Sequence, residues 1–170
     1  MRLPALLALA AVLAPAAPAA IPAPRVRSAT FEQLPKPLPL PYAETGDASA
    51  SVKRARAQAK AAGKLLLIDL GGNWCLDCRL LAGVMELPEV RRWLPRHYVL
   101  VTVNVGRFDT NLAVPARYGI RKRLEGVPSL LVVDPRTDRL LNEGRTAALA
   151  DARSMTPQGL ADYLAQWPRR

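Results

Sequence analysis

The stretch DLGGNWCLDCRLLAGV, residues 69–84, contains both cysteines of the 170-residue chain, Cys75 and Cys78. A structural disulfide, a metal site or a redox-active dithiol would each use such a pair. A chain of this length can bury a hydrophobic core without cross-links. A bond between these cysteines would close only a small loop, which removes little entropy from the unfolded chain. A structural disulfide is therefore a poor explanation for the pair.

The residues around the pair place it where a strand ends and a helix begins. The run KLLLIDL, residues 64–70, is short and apolar, as in a strand that is buried on both faces. A helix is predicted from about Cys75 to Leu87, where Pro88 ends it. Unpaired N–H groups and the helix dipole stabilise a thiolate at a helix N-terminus, which makes Cys75 the candidate nucleophile. Cys78 lies one turn further along the same face and is the candidate resolving thiol.

The rest of the chain alternates between helix and strand patterns. A stretch of good helix formers begins at about Ser49 and stops at Gly63. The later predicted elements are a helical turn or two at 88–98, a strand at 98–105, a short helix at 111–120, a strand at 127–135, a turn at 134–139, its hairpin partner at 139–143 and a helix at 156–167. This order predicts an α/β fold in which a mixed central β-sheet is flanked by helices on both faces.

Residues 1–19 have the pattern of a secretory signal peptide. One basic residue, Arg2, precedes a run rich in Leu and Ala and then small residues of the Ala-x-Ala kind. Cleavage is predicted after Ala19, with Ala16 as the alternative site. An uncleaved segment would instead tether the protein to a membrane, but the apolar run is short and contains prolines. We therefore expect a periplasmic or secreted protein.

A proline-rich segment, residues 20–48, precedes the predicted domain. Its prolines include Pro35, Pro37, Pro39 and Pro41, a spacing of two that excludes helix and favours an extended conformation. We expect this segment to be a tether or a strap across the domain. The domain itself is predicted to cover residues 49–170.

Three motifs in order resemble the thioredoxin superfamily, and most closely its exported bacterial members. WCLDC, residues 74–78, matches the family's Trp-Cys-x-x-Cys box. Asp69 stands six residues before Cys75, where thioredoxins keep a buried acid. YGIRKRLEGVPSLLVVD, residues 118–134, is similar to the family's Tyr-Gly-Ile followed by Val-Pro-Ser/Thr and a strand. The resemblance covers about residues 52–167 and implies a thioredoxin-like fold with thiol–disulfide oxidoreductase activity on protein disulfides.

The resemblance also implies roles for residues around the dithiol. Pro128 would be a cis-proline that turns the backbone of Val127 towards Cys75, where an extended client peptide can pair with it. Trp74 would supply contact surface beside the dithiol. Asp69 would have a pKa raised by burial and would take the proton of the resolving cysteine. A hydrogen-bonded Asp69 with a purely structural role is the alternative.

Two features depart from the family pattern. The basic stretch RKRLE, Arg121 to Glu125, makes the connection before Pro128 longer than usual. We expect it to border the active site, either as a surface that steers acidic partners or as a solvated turn. Thr102 stands where many thioredoxins have a lysine near the buried acid. The family pattern therefore predicts the dithiol more fully than the route of a proton at Asp69.

Asp77, between the two cysteines, bears on the direction of electron flow. A carboxylate there would destabilise the Cys75 thiolate by charge repulsion, unless it points into solvent, where its charge is screened. A less stabilised thiolate means a more reducing dithiol. This favours a reductase or isomerase that depends on a redox partner protein as electron donor or acceptor.

Other function classes would use the same residues differently. Zinc requires four ligands, and the chain offers two cysteines and a single histidine, His97. Copper(I) binding by the two thiolates, as in a metallochaperone, is an alternative, and so is a non-catalytic binding or assembly module. The net charge of +10 would favour acidic partners, but the basic residues are scattered, which argues against nucleic acid. We expect no metal and no cofactor, and protein thiol or disulfide clients as partners.

Overall fold

The computed structural model describes residues 19–168. The strands are β1 (Leu65–Gly71), β2 (Tyr98–Asn104), β3 (Ser129–Asp134) and β4 (Arg139–Leu140). They form a central sheet of order β2-β1-β3-β4, in which β1 and β2 are parallel and the other two pairs are antiparallel. The helices are α1 (Ala48–Ala62), α2 (Leu76–Glu86), α3 (Pro88–His97), α4 (Ala113–Arg117) and α5 (Pro157–Leu164). The predicted mixed α/β sheet is confirmed.

Helices cover both faces of this sheet, as the apolar strand patterns predict. Alternate residues of β1 point to opposite faces, because side chains alternate along a strand. Leu67 packs in the core formed with α2, α3 and α5, whereas Leu66 and Ile68 pack in the core formed with α1 and α4. Burial on both faces explains why β1 reads as a continuous apolar run rather than an alternating one.

Two elements differ in length from the sequence prediction. Helix α3 is ten residues long and continues through Pro95, whereas the sequence predicts only a turn or two. Val90 and Leu94, four residues apart, are buried and hold this helix against the core. The hairpin partner β4 is shorter than predicted, because the Asn142 side chain takes over the pairing with β3. Its Oδ1 accepts from the Val132 N–H at 2.9 Å, and its Nδ2 donates to the neighbouring β3 backbone.

The proline-rich segment lies across the domain as a strap. Its side chains Leu34, Leu38 and Tyr42 are buried in the two cores. The Arg79 guanidinium of α2 donates to the carbonyl oxygens of Leu38 and Pro39, at 3.2 and 3.3 Å. These contacts hold the segment over the N-terminal end of α2, next to the cysteines.

Most of the predicted signal peptide lies outside the described residues. Between residues 19 and 168, the structure contains no helix that is both long enough and apolar enough to cross a membrane.

Candidate active site

The fold places Cys75 at the N-cap of α2, immediately after the turn that follows β1. The turn is closed by the Cys75 N–H, which donates to the Gly72 carbonyl at 3.0 Å. The Cys75 sulfur in turn accepts a hydrogen bond from the backbone N–H of Cys78 at 3.2 Å. Both cysteines are free thiols and buried, with Cys78 wholly enclosed. Sequence and structure therefore agree on an outer and an inner thiol one helical turn apart.

The two thiols have pKa values shifted in opposite directions. Hydrogen bonding with the Cys78 side chain is the main factor that lowers the pKa of Cys75, against the effect of burial. The Cys78 backbone N–H adds to this, as expected at a helix N-terminus. The same side-chain pairing, followed by burial, raises the pKa of Cys78. At neutral pH the outer sulfur is the favoured thiolate and the inner sulfur keeps its proton.

Val127 and Pro128 face the outer cysteine from the start of β3. The peptide bond between them is cis, and the Val127 carbonyl oxygen lies 3.4 Å from the Cys75 sulfur, where it can accept from the thiol. Val127 is buried against Leu124 and the cysteines in one apolar cluster. Backbone groups next to Cys75 are thus in reach of a chain that approaches this sulfur.

Asp69 is buried at 1% exposure near the end of β1. Burial raises its pKa to about 7, and a hydrogen bond from Tyr42 opposes this rise. The Tyr42 hydroxyl donates to Asp69 Oδ1 at 2.8 Å. Thr102 is the β2 partner of Asp69 in the sheet, but its hydroxyl donates to the Pro41 carbonyl of the strap at 2.8 Å. The side chain that hydrogen-bonds to the acid is therefore Tyr42 and not Thr102, the position at which the sequence departs from the family pattern.

Asp77 does not point into solvent. It is buried, and its carboxylate accepts hydrogen bonds from the Arg153 backbone N–H at 2.9 Å and from Arg153 Nε at 3.0 Å. Burial acts to raise the pKa of Asp77, but the Arg153 contacts outweigh it and hold the pKa below its ordinary value. The charge of Asp77 raises the pKa of Cys75, as predicted, and Arg153 rather than solvent partly neutralises that charge.

Trp74 is exposed by 43% beside the dithiol and belongs to an aromatic and basic surface. Its indole N–H donates to the Gly106 carbonyl at 2.8 Å, and its ring packs edge-on against Phe108, with centroids 6.1 Å apart. The Arg107 guanidinium lies 4.4 Å above the Trp74 ring. Arg123, from the basic loop 121–125, lies 4.6 Å from the Phe108 ring. The loop therefore borders the site through Phe108.

His97 is not brought to the cysteines. It ends α3 next to Tyr98, which pairs with Leu65 at the opposite end of β1 from the cysteine turn. Its ring packs against Trp93, with centroids 4.5 Å apart. Within residues 19–168, no group of three or more His, Cys, Asp or Glu side chains could hold a metal ion.

Two residues at the site carry no signal that identifies them from the sequence. Tyr42 and Arg153 reach Asp69 and Asp77 across 27 and 76 positions of sequence. Neither belongs to a local motif. The nearest sequence signal is that Tyr42 directly follows Pro41, the last proline of the proline-rich segment.

Comparisons with known proteins agree with this geometry. A family model described as Thioredoxin-like matches residues 47–135, just over half of the chain. The crystal structure of disulphide isomerase from Xylella fastidiosa Temecula1 has a TM-score of 0.69 and 35% sequence identity, over 76% of this chain and 97% of that chain. The Thiol:disulfide interchange protein DsbD 1 of Pseudomonas aeruginosa is 33% identical over 100 residues. That match covers 54% of this chain and 16% of the relative's length.

The family match covers β1, β2 and β3, both cysteines and the Val127–Pro128 turn. The chain belongs to the Thioredoxin-like family.

Proposed function

We propose that this protein is an exported thiol–disulfide oxidoreductase that reduces or isomerises disulfides in client proteins. The observation that carries the proposal is the asymmetric dithiol. The Cys75 sulfur accepts the Cys78 N–H at the start of α2 and has a lowered pKa, while Cys78 is enclosed and has a raised pKa. The names of the two relatives, a disulphide isomerase and a thiol:disulfide interchange protein, support the same chemistry.

In the proposed reaction, Cys75 is the nucleophile. Its thiolate attacks one sulfur of a client disulfide, forms a Cys75–client mixed disulfide and releases the other client sulfur as a thiolate. Cys78 then loses its proton and attacks the Cys75 sulfur. This releases the second client thiolate and leaves a Cys75–Cys78 disulfide. Two electrons have passed from the dithiol to the client, and a redox partner protein must return them.

Isomerisation uses the same mixed disulfide. If a second client thiol attacks it before Cys78 does, the client leaves with a rearranged disulfide and the dithiol is recovered without net oxidation. The proposal gives Asp69 the role of proton acceptor for Cys78. Its pKa of about 7 suits that task near neutral pH.

Client binding is proposed at Trp74, Val127 and Pro128. An extended client strand would pair with the backbone at Val127, whose carbonyl already lies beside the Cys75 sulfur. The exposed face of Trp74 would pack against the client on the other side. The signal-like residues 1–19 support a periplasmic or secreted location, with a membrane tether if they are not cleaved.

The test is a pair of serine variants in an insulin-reduction assay with dithiothreitol as reductant. Cys75→Ser should abolish the reaction, because the attacking sulfur is lost. Cys78→Ser should slow turnover. When this variant is reduced, freed of dithiothreitol and then mixed with insulin, it should accumulate Cys75–client mixed disulfides, which mass spectrometry detects as an adduct. Full activity of Cys75→Ser would contradict the proposal. Equal trapping by both variants would contradict the assignment of outer and inner thiols.

A further inference from the structure

Within residues 19–168, Tyr42 is the one residue of the strap whose side-chain polar group reaches the buried side of the dithiol. The strap delivers it from outside the central sheet. The Tyr42 backbone is fixed by a two-way pairing with Asn73, which accepts from its N–H at 3.1 Å and donates to its carbonyl at 2.8 Å. The ring is buried in the same cluster as both cysteines. Its hydroxyl position is therefore set by two separate parts of the fold.

The hydroxyl contacts the buried acid and lies near the inner thiol. It donates to Asp69 Oδ1 at 2.8 Å. A Cβ on Gly71 would lie 2.4 Å from the Tyr42 hydroxyl oxygen and 2.8 Å from the Cys78 sulfur. Only a residue without a side chain lets these two groups approach each other at this point. Gly71 thus leaves open the space across which the hydroxyl faces the thiol.

The proposed function requires a proton to leave Cys78 as it attacks the mixed disulfide. The acid that would take it already receives the Tyr42 hydrogen bond. A hydroxyl can accept a proton on its oxygen while it gives its own to a second acceptor. Burial, followed by the charges of Asp69 and Cys78, raises the pKa of Tyr42, so the hydroxyl stays protonated before and after such a transfer.

We propose that Tyr42 relays the proton from the Cys78 thiol to the Asp69 carboxylate during resolution. The Cys78 proton passes to the Tyr42 oxygen as the Tyr42 proton passes to Asp69 Oδ1. The Cys78 sulfur attacks the Cys75 sulfur, the Cys75–client bond breaks, and the client leaves as a thiolate. Tyr42 ends neutral and Asp69 ends protonated, so charge and electrons balance. This inference rests on the proposed function and adds a residue to its second step.

The titratable groups that face the hydroxyl come from two elements. Asp69 is on β1, and Cys78, with Cys75 beyond it, is on α2. Arg79 on α2 binds the strap through the Leu38 and Pro39 carbonyls and does not enter the proposed path. A pH profile of the second step therefore reports mainly on Asp69 and the dithiol.

The test separates the two chemical steps in single-turnover reactions of the full chain with a disulfide-bonded peptide. Samples are quenched with acid, and mass spectrometry follows the growth and decay of the Cys75–peptide adduct. Tyr42→Phe keeps the buried ring and removes only the hydroxyl. We expect adduct formation to stay within about twofold of the wild type. Adduct decay should slow at least about tenfold, because acid–base assistance typically contributes about 10²–10⁴-fold.

The pH dependence distinguishes a relay from an indirect effect. Removing the Tyr42 hydrogen bond also raises the pKa of Asp69, which by itself would slow decay only below the new pKa. A relay predicts that the defect persists at about pH 9, about two pH units above the pKa of Asp69 in the wild type. It also predicts that Tyr42→Phe adds no further defect in an Asp69→Asn background, because the relay then has no acceptor.

Tyr163→Phe is the matched control. Tyr163 is also buried, and its hydroxyl donates to the Arg145 carbonyl at 2.6 Å. Because this hydrogen bond involves neither the dithiol nor Asp69, loss of the Tyr163 hydroxyl should leave both steps unchanged. The relay is overturned if adduct decay in Tyr42→Phe equals that of the wild type, if both steps slow equally, or if the defect vanishes at the alkaline pH. If instead Cys78→Ser, which cannot resolve the adduct, forms no Cys75–peptide adduct, the proposed function itself fails.

Discussion

At the scale of single residues, the fold most strongly changes the chemistry of Asp69. An aspartate with the ordinary pKa of 3.8 would be a weak base for a thiol. Burial at 1% exposure raises the pKa to about 7, close to neutral pH. The hydrogen bond from Tyr42 limits the rise and keeps part of the population ionised at neutral pH.

The raised pKa of Asp69 should appear as a pH-dependent stability difference between the wild type and Asp69→Asn. The unfolded chain ionises near pH 3.8, before the folded one does near 7, so the wild type loses stability as pH rises through this window. The asparagine of the variant does not titrate. We expect the stability of the variant relative to the wild type to increase by up to about 4 kcal/mol between about pH 4 and pH 8.

Urea unfolding of both reduced proteins across this pH range measures the difference. The other titrating groups are common to the two proteins and largely cancel. A difference that stays constant with pH would show that Asp69 ionises near its ordinary pKa in the folded protein.

The local sequence is sufficient for residues whose role depends on near neighbours. Cys75 and Cys78 follow a buried strand and open a helix, and Asp69 interrupts that strand, so each carries a visible pattern. Tyr42 and Arg153 carry none, because their partners lie 27 and 76 residues away. Only the tertiary fold decides that one meets Asp69 and the other meets Asp77.

At the scale of elements, the strap is the part of the fold that bears most directly on the site. The proline spacing predicts that the strap is extended. It does not predict whether the strap packs against the domain or extends away from it as a tether. Packing depends on Arg79 and Thr102, which lie in α2 and β2 and bind the strap carbonyls. The strap brings Tyr42 to Asp69, so its attachment is coupled to the geometry of the buried acid.

Truncating a buried strap residue should therefore destabilise the whole domain. Leu34 is buried, and a side chain at Gly83 of α2 would lie 3.1 Å from its Cδ1. We expect Leu34→Ala to lower the free energy of unfolding by about 2–5 kcal/mol. Leu40 on the same segment is 63% exposed, and Leu40→Ala should change it by no more than about 0.5 kcal/mol.

Urea unfolding of the two variants and the wild type, monitored by circular dichroism, compares these values. Equal stability of the two variants would mean that the strap does not contribute to the folded state in solution.

At the scale of the whole molecule, the mixed sheet places its chemistry at one edge. The turn after β1, the N-terminus of α2 and the Val127–Pro128 turn before β3 meet there, with the strap behind them. The order of strand and helix patterns is enough to predict this arrangement, because short connections allow few topologies. The ends of the elements are less predictable, since beyond the end of β4 the Asn142 side chain, and not the backbone, pairs with β3.

The same arrangement leads to an expected direction of electron flow. The α2 N-terminus stabilises the Cys75 thiolate, whereas the buried Asp77 carboxylate opposes it and is only partly neutralised by Arg153. The less stable the thiolate is, the more reducing the dithiol becomes. We therefore propose that the protein donates electrons to client disulfides and receives them from a partner.

The most direct test is the reduction potential of the Cys75–Cys78 pair, with the protein equilibrated in glutathione buffers, quenched with acid and its free thiols counted by mass. The account predicts a reversible two-electron couple nearer to thioredoxin, at about −270 mV, than to DsbA, at about −120 mV. A potential near about −120 mV would contradict the proposed direction of electron flow. Two thiols that never form a disulfide with each other would contradict the mechanism itself.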